Sequence, residues 1–301
     1  MGVVTPSSSP TTAATPAGRT AEGPPLLEVV RWPALDATGA VDAVVTTRHG
    51  GVSSGPWATA NLGLHVGDDP AAVVTNRSRA AASLGLPLGA LVFARQTHGA
   101  KVAVVTATDA GRGTRTESDA LDGVDALVTT DGSVGLVIMV ADCVPIVLVD
   151  PTAEVLGVVH AGWRGTVAGV VRATVAAMVG EGAAPERLVA GIGPSVRAEE
   201  YQVGSDVADG IVALLGDDPR SPSGTPVLRP DPPDPAGTPR WRCDLAGANA
   251  AALVACGVHP DNIHDTGHHS GDGAFFSDRV ARPCGRFAVV ARLRHHSGTV
   301  Q

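Results

Sequence analysis

A mixed-sheet α/β (α+β) domain is the fold class that the sequence predicts, on three observations. Short apolar runs of β type recur along the chain, the most continuous over residues 135–140, 145–149 and 155–159. Stretches with helical apolar spacing lie among them without the strict alternation that a doubly wound parallel sheet requires. The glycines at 191 and 193 lack the third glycine of a dinucleotide-binding fingerprint.

The elements follow in order. Residues 1–25 are Ser, Thr, Pro, Ala and Gly, too poor in apolar surface to offset ordering, and are expected to be disordered. A single domain is expected over 26–301. Residues 41–47 read as a strand running into Arg48 and the Gly50-Gly51 turn, where backbone can approach a ligand closely. Asp69 before Pro70 starts a helix that runs to about Ser83 and ends at Gly85. Strands are expected over 91–93 and 101–106, then a Gly-rich mobile loop over 107–124. After the three apolar runs, Val167, Val170, Val171, Val175 and Met178 recur at helical spacing, so a helix over 166–179 with Thr166 as its N-cap is predicted. A strand over 187–193 and a helix over 205–215 follow. Residues 216–240, rich in Pro, Asp and Gly, read as a surface insertion or linker. A helix over 244–256, stopped by Gly257, and a strand over 286–294 complete the chain.

Bulk properties exclude several classes. The 301 residues carry a net charge of −8, which argues against a general grip on nucleic acid. No apolar run reaches the roughly 18 residues of a membrane span. The N-terminus lacks the basic-then-apolar order of a secretory signal, and Pro6 breaks the myristoylation pattern, so a cytoplasmic location is expected. Four widely spaced cysteines (Cys143, Cys243, Cys256, Cys284) with no CxxC pair suggest reduced thiols.

Chemistry concentrates between residues 95 and 164. His98, Cys143 and His160 each lie at the edge of an apolar strand, next to Gly or close to Pro. Three N/S ligands with a fourth position open is how catalytic zinc is held. The same atoms also allow a Cys143 nucleophile with His160 or His98 as base and Asp142 orienting an imidazole. Spacing alone does not separate the two, nor either from a buried thiol among structural histidines.

The segments TTRHGGVS (46–53), NLGLHVGDDP (61–70), RQTHGAKV (95–102), DALVTT (125–130), ADCVPIVLVDP (141–151), VHAGWRGT (159–166), GIGPSV (191–196), YQVGSDV (201–207) and FFSDR (275–279) resemble, in order, the motif series of the YfiH family, also called the polyphenol oxidoreductase (laccase) domain family. The resemblance covers about residues 28–295. It implies a layered α/β/α sandwich of mixed sheet and a purine nucleoside phosphorylase that also deaminates adenosine, with adenosine, inosine and 5′-methylthioadenosine as substrates. It places zinc ligands at His98, Cys143 and His160, with copper as the alternative metal. Arg48 would hold phosphate and, with Asp142 and Cys143, serve catalysis. Asn61, Gln96 and Arg164 would join Arg48 around substrate. Purine nucleosides and phosphate are the implied partners, with no nucleic acid or membrane, and the protein is expected to be a monomer or weak homo-oligomer. A metal-free cysteine hydrolase using Cys143 and His160, a copper-dependent polyphenol oxidase and a catalytically degenerate accessory protein are the alternatives. The chain departs from the family pattern before FFS, where His268 and His269 replace a Cys-Thr pair, and at Pro283-Cys284. The two histidines read as part of a solvated loop.

Overall fold

The computed structural model describes residues 26–294, so the disordered tail expected over 1–25 lies outside them. Two six-stranded sheets and one three-stranded sheet form the β structure. The first sheet has the order β1 (Val29–Val30), β2 (Val41–Thr46), β15 (Phe287–Leu293), β7 (Gly135–Val140), β3 (Leu91–Arg95) and β5 (Leu121–Asp122). The second has the order β14 (Ile263–Asp265), β10 (Val189–Ile192), β8 (Val144–Asp150), β9 (Val155–Ala161), β6 (Ala126–Thr129) and β4 (Val102–Val104). The third joins β11 (Gln202–Val203), β13 (Arg240–Cys243) and β12 (Leu228–Asp231). The helices are α1 (Pro33–Ala37), α2 (Pro70–Ala82), α3 (Trp163–Val167), α4 (Val170–Gly180), α5 (Ser205–Leu215) and α6 (Leu245–Ala255).

The chain adopts the expected mixed α/β architecture, with two β layers between its helices. One face of the first sheet packs Val44, Leu91, Val137 and Val290 on Ala80, Ala81 and Leu84 of the α2 region. Its other face sets Val45, Ile138 and Val289 against Val147, Val149, Leu156 and Val158 of the second sheet. The outer face of the second sheet, through Val128, Ile146 and Val159, packs on Val171, Val175, Met178 and Leu253 of α4 and α6. Strands covered on both faces need apolar residues at every position rather than alternate ones. Every residue of β7, β8 and β9 is accordingly buried. Truncating one such side chain, Ile138→Ala for instance, costs about 2–5 kcal/mol.

Helix α2 starts as its sequence dictates, with Asp69 capping the Ala71 N–H at 3.0 Å. The single helix expected over 166–179 is instead two, because Gly169 takes the left-handed conformation (φ 82°) between α3 and α4. Thr166 is not the cap. Its hydroxyl donates back to the Gly162 carbonyl and meets Asn249 of α6. The 107–124 loop is tied down where the buried Arg77 of α2 donates to the Gly113 and Thr114 carbonyls. Within the Pro-rich 216–240 segment, β12 runs antiparallel to β13, from Leu228 opposite Cys243 to Asp231 opposite Arg240. Among the described residues no helix is long and apolar enough to cross a membrane.

The chain passes from the first sheet to the second at two places that matter for the site. Residues 96–101 join β3 to β4, and residues 141–143 join β7 to β8.

Candidate metal centre

The centre is built on the pairing of β6 with β9. Ala126 lies opposite Val159, so one step further Asp125 faces His160. The His160 N–H donates to the Asp125 carbonyl at 2.8 Å, and the ring Nδ1 stands 2.8 Å from Oδ1 of the same residue. Asp125 is fully buried and also accepts N–H bonds from His98 at 2.8 Å and Gly99 at 2.7 Å, plus weaker bonds from the Thr97 N–H and hydroxyl. Burial alone would raise this carboxyl; the bonds from His160, Gly99 and His98 outweigh it and hold it at about 2. An ionised carboxylate has no proton to give, so His160 carries its proton on Nδ1. Nε2 is then the ligand atom, which an ion would take in place of a proton.

His98 reaches the same place from the first crossover. It takes a left-handed backbone (φ 62°), uncommon for any residue but glycine, and its N–H is anchored on Asp125. Its ring meets that of His160 edge to face, centroids 4.7 Å apart. Cys143 arrives from the second crossover. Gly162 makes room, since a Cβ there would lie 2.9 Å from the Cys143 sulfur and 2.9 Å from the His98 ring. One ligand atom from each of His98, Cys143 and His160 falls within 4.8 Å of the other two. Burial pushes the Cys143 thiol up, but the two imidazoles prevail and hold it down, to about 6. Burial likewise opposes a charge on His160, while Cys143 and Asp125 hold its pKa up, to about 9.

Two borderline nitrogens and one soft sulfur, with one imidazole oriented by a carboxylate, fit zinc with an exchangeable position. The three ligand atoms lie close enough together for one ion to be held by all of them. Among the described residues this is the one group of three or more His, Cys, Asp or Glu side chains so arranged.

The cluster stands in a wall between two cavities. The first, of about 340 Å³, has an apolar side formed by Phe93, Met139 and Val140, with Gln96 and Glu117 among its polar groups. The second, of about 510 Å³, is lined by Trp163, Arg164, Tyr201 and Arg279. His98, Ala141, Cys143 and Asp278 belong to both.

The other expected site residues are distributed unevenly around this wall. Gln96 lines the first cavity, but both ends of its amide are engaged by the Met139 backbone, at 2.7 and 2.9 Å. Arg164 lines the second cavity with its guanidinium 4.3 Å from the Trp163 ring. Asn61 lines neither. It is fully buried behind the first cavity, donating to Gly63 and Asp68 and accepting the Arg286 N–H. Asp142 lines the second cavity but does not orient an imidazole, a role taken by Asp125. Its carboxylate accepts from the Ser270 and Ser277 hydroxyls and the Arg279 N–H, fastening the 270–279 segment. Arg48 stands apart. Its guanidinium gives two bonds to the Ala58 carbonyl, at 3.1 and 3.0 Å, and lies over Phe276 in a separate cavity of about 180 Å³. His268 and His269 line a further cavity away from the cluster, with His268 3.2 Å from Asp272. Asp125, Tyr201, Asp278 and Arg279 were not singled out by sequence reasoning. The one signal for Asp125 was a carboxylate placed immediately before a wholly apolar strand, a position where a charge needs partners.

Comparison with known proteins identifies the family. The family model described as multi-copper polyphenol oxidoreductase laccase matches residues 42–294. Purine nucleoside phosphorylase YlmD of Geobacillus stearothermophilus is 38% identical over 247 residues, 81% of this chain and 86% of its own length. A purine nucleoside phosphorylase of Deinococcus radiodurans is 39% identical over 281 residues, 93% of this chain and 97% of its own. The crystal structure of YlmD superposes with a TM-score of 0.79 at 35% identity, covering 90% of this chain and all of that one. That of the hypothetical protein YfiH from Bacillus licheniformis gives 0.79 at 30% identity, covering 91% and 98%. The family model, the relatives and the shared fold show that the chain belongs to the YfiH, or laccase-domain, family.

Proposed function

We propose that this protein is a zinc-dependent purine nucleoside phosphorylase, with adenosine deamination as a second outcome at the same centre. The observation that carries the reading is the His98–Cys143–His160 cluster, backed by Asp125 and standing in a wall shared by two cavities. The names of its relatives support the substrate class. Zinc held by these three side chains would supply Lewis acidity and activate water at neutral pH.

The chain's own residues do the rest. Phe93, Met139 and Val140 offer a purine ring an apolar wall and exclude water from it. Glu117, at the same cavity, is an acceptor for a ribose hydroxyl or an exocyclic amino group. In phosphorolysis a phosphate oxygen bonds to ribose C1′. The C1′–N9 electron pair leaves with the purine, which takes up a proton. Holding the two reactants in line lowers the barrier more than any single proton transfer. In deamination water adds at purine C6 and ammonia leaves. A multi-copper oxidase would need several histidine-rich sites, and among the described residues only one ligand cluster is present.

A second reading has one observation in its favour. Asp125, His160 and Cys143 follow one another in the order of a Cys-His-Asp nucleophilic triad. His98, a second imidazole close to the sulfur, suits a metal and is superfluous to a nucleophile. One experiment separates the two. The purified protein is analysed for metal and incubated with adenosine, with and without phosphate, before and after chelation. Stoichiometric zinc, adenine and ribose 1-phosphate formed only with phosphate, and inosine formed without it, are expected. Thiol-dependent hydrolysis that survives chelation would overturn the proposal.

A further inference from the structure

We propose that the second cavity is a phosphate site, in which Arg164 and Arg279 hold a phosphate group beside the His98 and Cys143 side chains that the two cavities share. The proposal deepens the phosphorylase reading and rests on it only for the source of that phosphate.

The argument sorts the cations near the centre by what already neutralises or engages them. In the first cavity every arginine is committed. Arg77 donates to the Leu62, Gly113 and Thr114 carbonyls, Arg95 pairs with Asp122, and Arg286 pairs with Asp278. In the second cavity Arg282 is committed to Asp278, but the other two arginines are not. Arg164 lies over the Trp163 ring and Arg279 lies over Tyr201, with its guanidinium carbon 5.4 Å from the ring centre. Neither guanidinium makes a hydrogen bond or ion pair among the described residues, so both forks of N–H donors face the cavity or solvent without a protein anion. The two carboxylates in the wall do not meet that need. Asp142 is occupied by two hydroxyls and a backbone N–H, and Asp278 by Arg286 and Arg282.

Two uncommitted guanidiniums stacked on aromatic rings form a site shaped for a tetrahedral oxyanion. Contact with a ring engages the face of a guanidinium and not its N–H edges, and those edges match phosphate in pairs. Both arginines are positioned by rigid structure. Arg164 follows Trp163 at the start of α3, and the Arg279 backbone N–H is pinned on Asp142 at 2.8 Å. This gives Asp142 a positioning role that does not involve an imidazole. Arg48, spent on the Ala58 carbonyl, lacks that freedom.

The test uses the full-length, metal-loaded protein. Inorganic phosphate and adenosine 5′-monophosphate are titrated calorimetrically into the parent, R164Q, R279Q and the double variant. R172Q, a charge change of the same size on the exposed face of α4, is the control. Each single substitution is expected to weaken binding about tenfold or more, the range of a hydrogen bond to a charged group. R279K should recover part of the loss and R172Q should match the parent. Arginine-dependent binding of either titrant supports the site, and the stronger one names its source as the free ion or an ester. Parent-like affinity in the double variant, or no binding by the parent, overturns it. In the phosphorolysis assay the KM for phosphate should rise by the same factor, with the KM for adenosine unchanged within about twofold. Turnover whose phosphate KM ignores both arginines sinks the site and spares the phosphorylase reading. Arginine-dependent phosphate binding without any nucleoside turnover does the reverse.

Discussion

The two ends of the β8–β9 hairpin each carry a buried carboxylate with a similar set of bonds and a different outcome. At the far end Asp150 accepts the Thr152, Ala153 and Ala184 N–H groups and the Arg187 guanidinium. Beside the near end Asp125 accepts the His98 and Gly99 N–H groups and the His160 ring. Both are fully buried, and both carboxyls are held below their usual range against the opposing effect of burial. The difference lies in the partner. Arginine keeps its charge at every accessible pH, and Arg187 remains 38% open to solvent, so that pair only closes a turn. Imidazole uses one nitrogen on the carboxylate and keeps the other, which at His160 faces Cys143. A buried carboxylate thus marks a reactive centre when its partner has an unused ligand atom.

The largest effect that can break this contrast is at the near end. Cys143→Ala should lose stoichiometric zinc and reduce nucleoside turnover to background while the melting curve stays cooperative. Retained metal, measured by elemental analysis, would remove the sulfur from the ligand set. Asp125→Asn comes next. It keeps the shape but weakens the orientation of His160, and zinc affinity should fall roughly 10–100-fold. A competition titration with a chromogenic chelator reads this, and parent-like affinity would make Asp125 a purely structural residue. At the far end Asp150→Asn should cost about 2–3 kcal/mol in urea unfolding, less than a fully buried ion pair because Arg187 reaches water. Zinc content should not change; if it does, the two ends are coupled. The smallest effect is a pH dependence. The Asp125 carboxyl falls from an unfolded value of 3.8 to about 2 in the fold. A depressed acid contributes stability above the unfolded value and loses it as pH falls through the folded one. About 2 kcal/mol should therefore disappear between pH 4 and 2 in the metal-free protein. The same scan on Asp125→Asn should be flatter by that amount, and parallel curves would contradict the assignment.

Much of the framework is legible from residues 125–164. Strands enclosed on both faces produce unbroken apolar runs, and those at 135–140, 145–149 and 155–159 fall within β7, β8 and β9. The start of α2 is equally legible, because Asp69-Pro70 is a local signal. What escapes is non-local. β7 and β8 follow each other in sequence yet lie in different sheets, and nothing in either strand encodes its choice of neighbour. The α3–α4 break is hidden because Val167, Val170 and Val171 keep a helical rhythm across Gly169. In the site, the residue types of His98, Cys143 and His160 point to metal chemistry, while their separations match no local ligand motif. Asp125 is hidden by its neighbours, since its partners lie on the loop before β4 and on β9. Asp142, beside Cys143 in sequence, looked the better orienting carboxylate but turns toward Ser270 and Ser277.

The two crossovers at residues 96–101 and 141–143 make the metal centre a clasp between layers. His98 and Cys143 each hang where the chain leaves one sheet for the other, so the donors come together only after the sheets have packed. A partly assembled chain offers a single imidazole or thiol, and neither holds zinc well. An ion held by these three side chains would therefore bind the packed form in preference and stabilise it by mass action. Zinc occupancy is expected to report damage far from the cluster. Loosening the interlayer core with Ile138→Ala should lower occupancy while the circular dichroism of the strands is still intact.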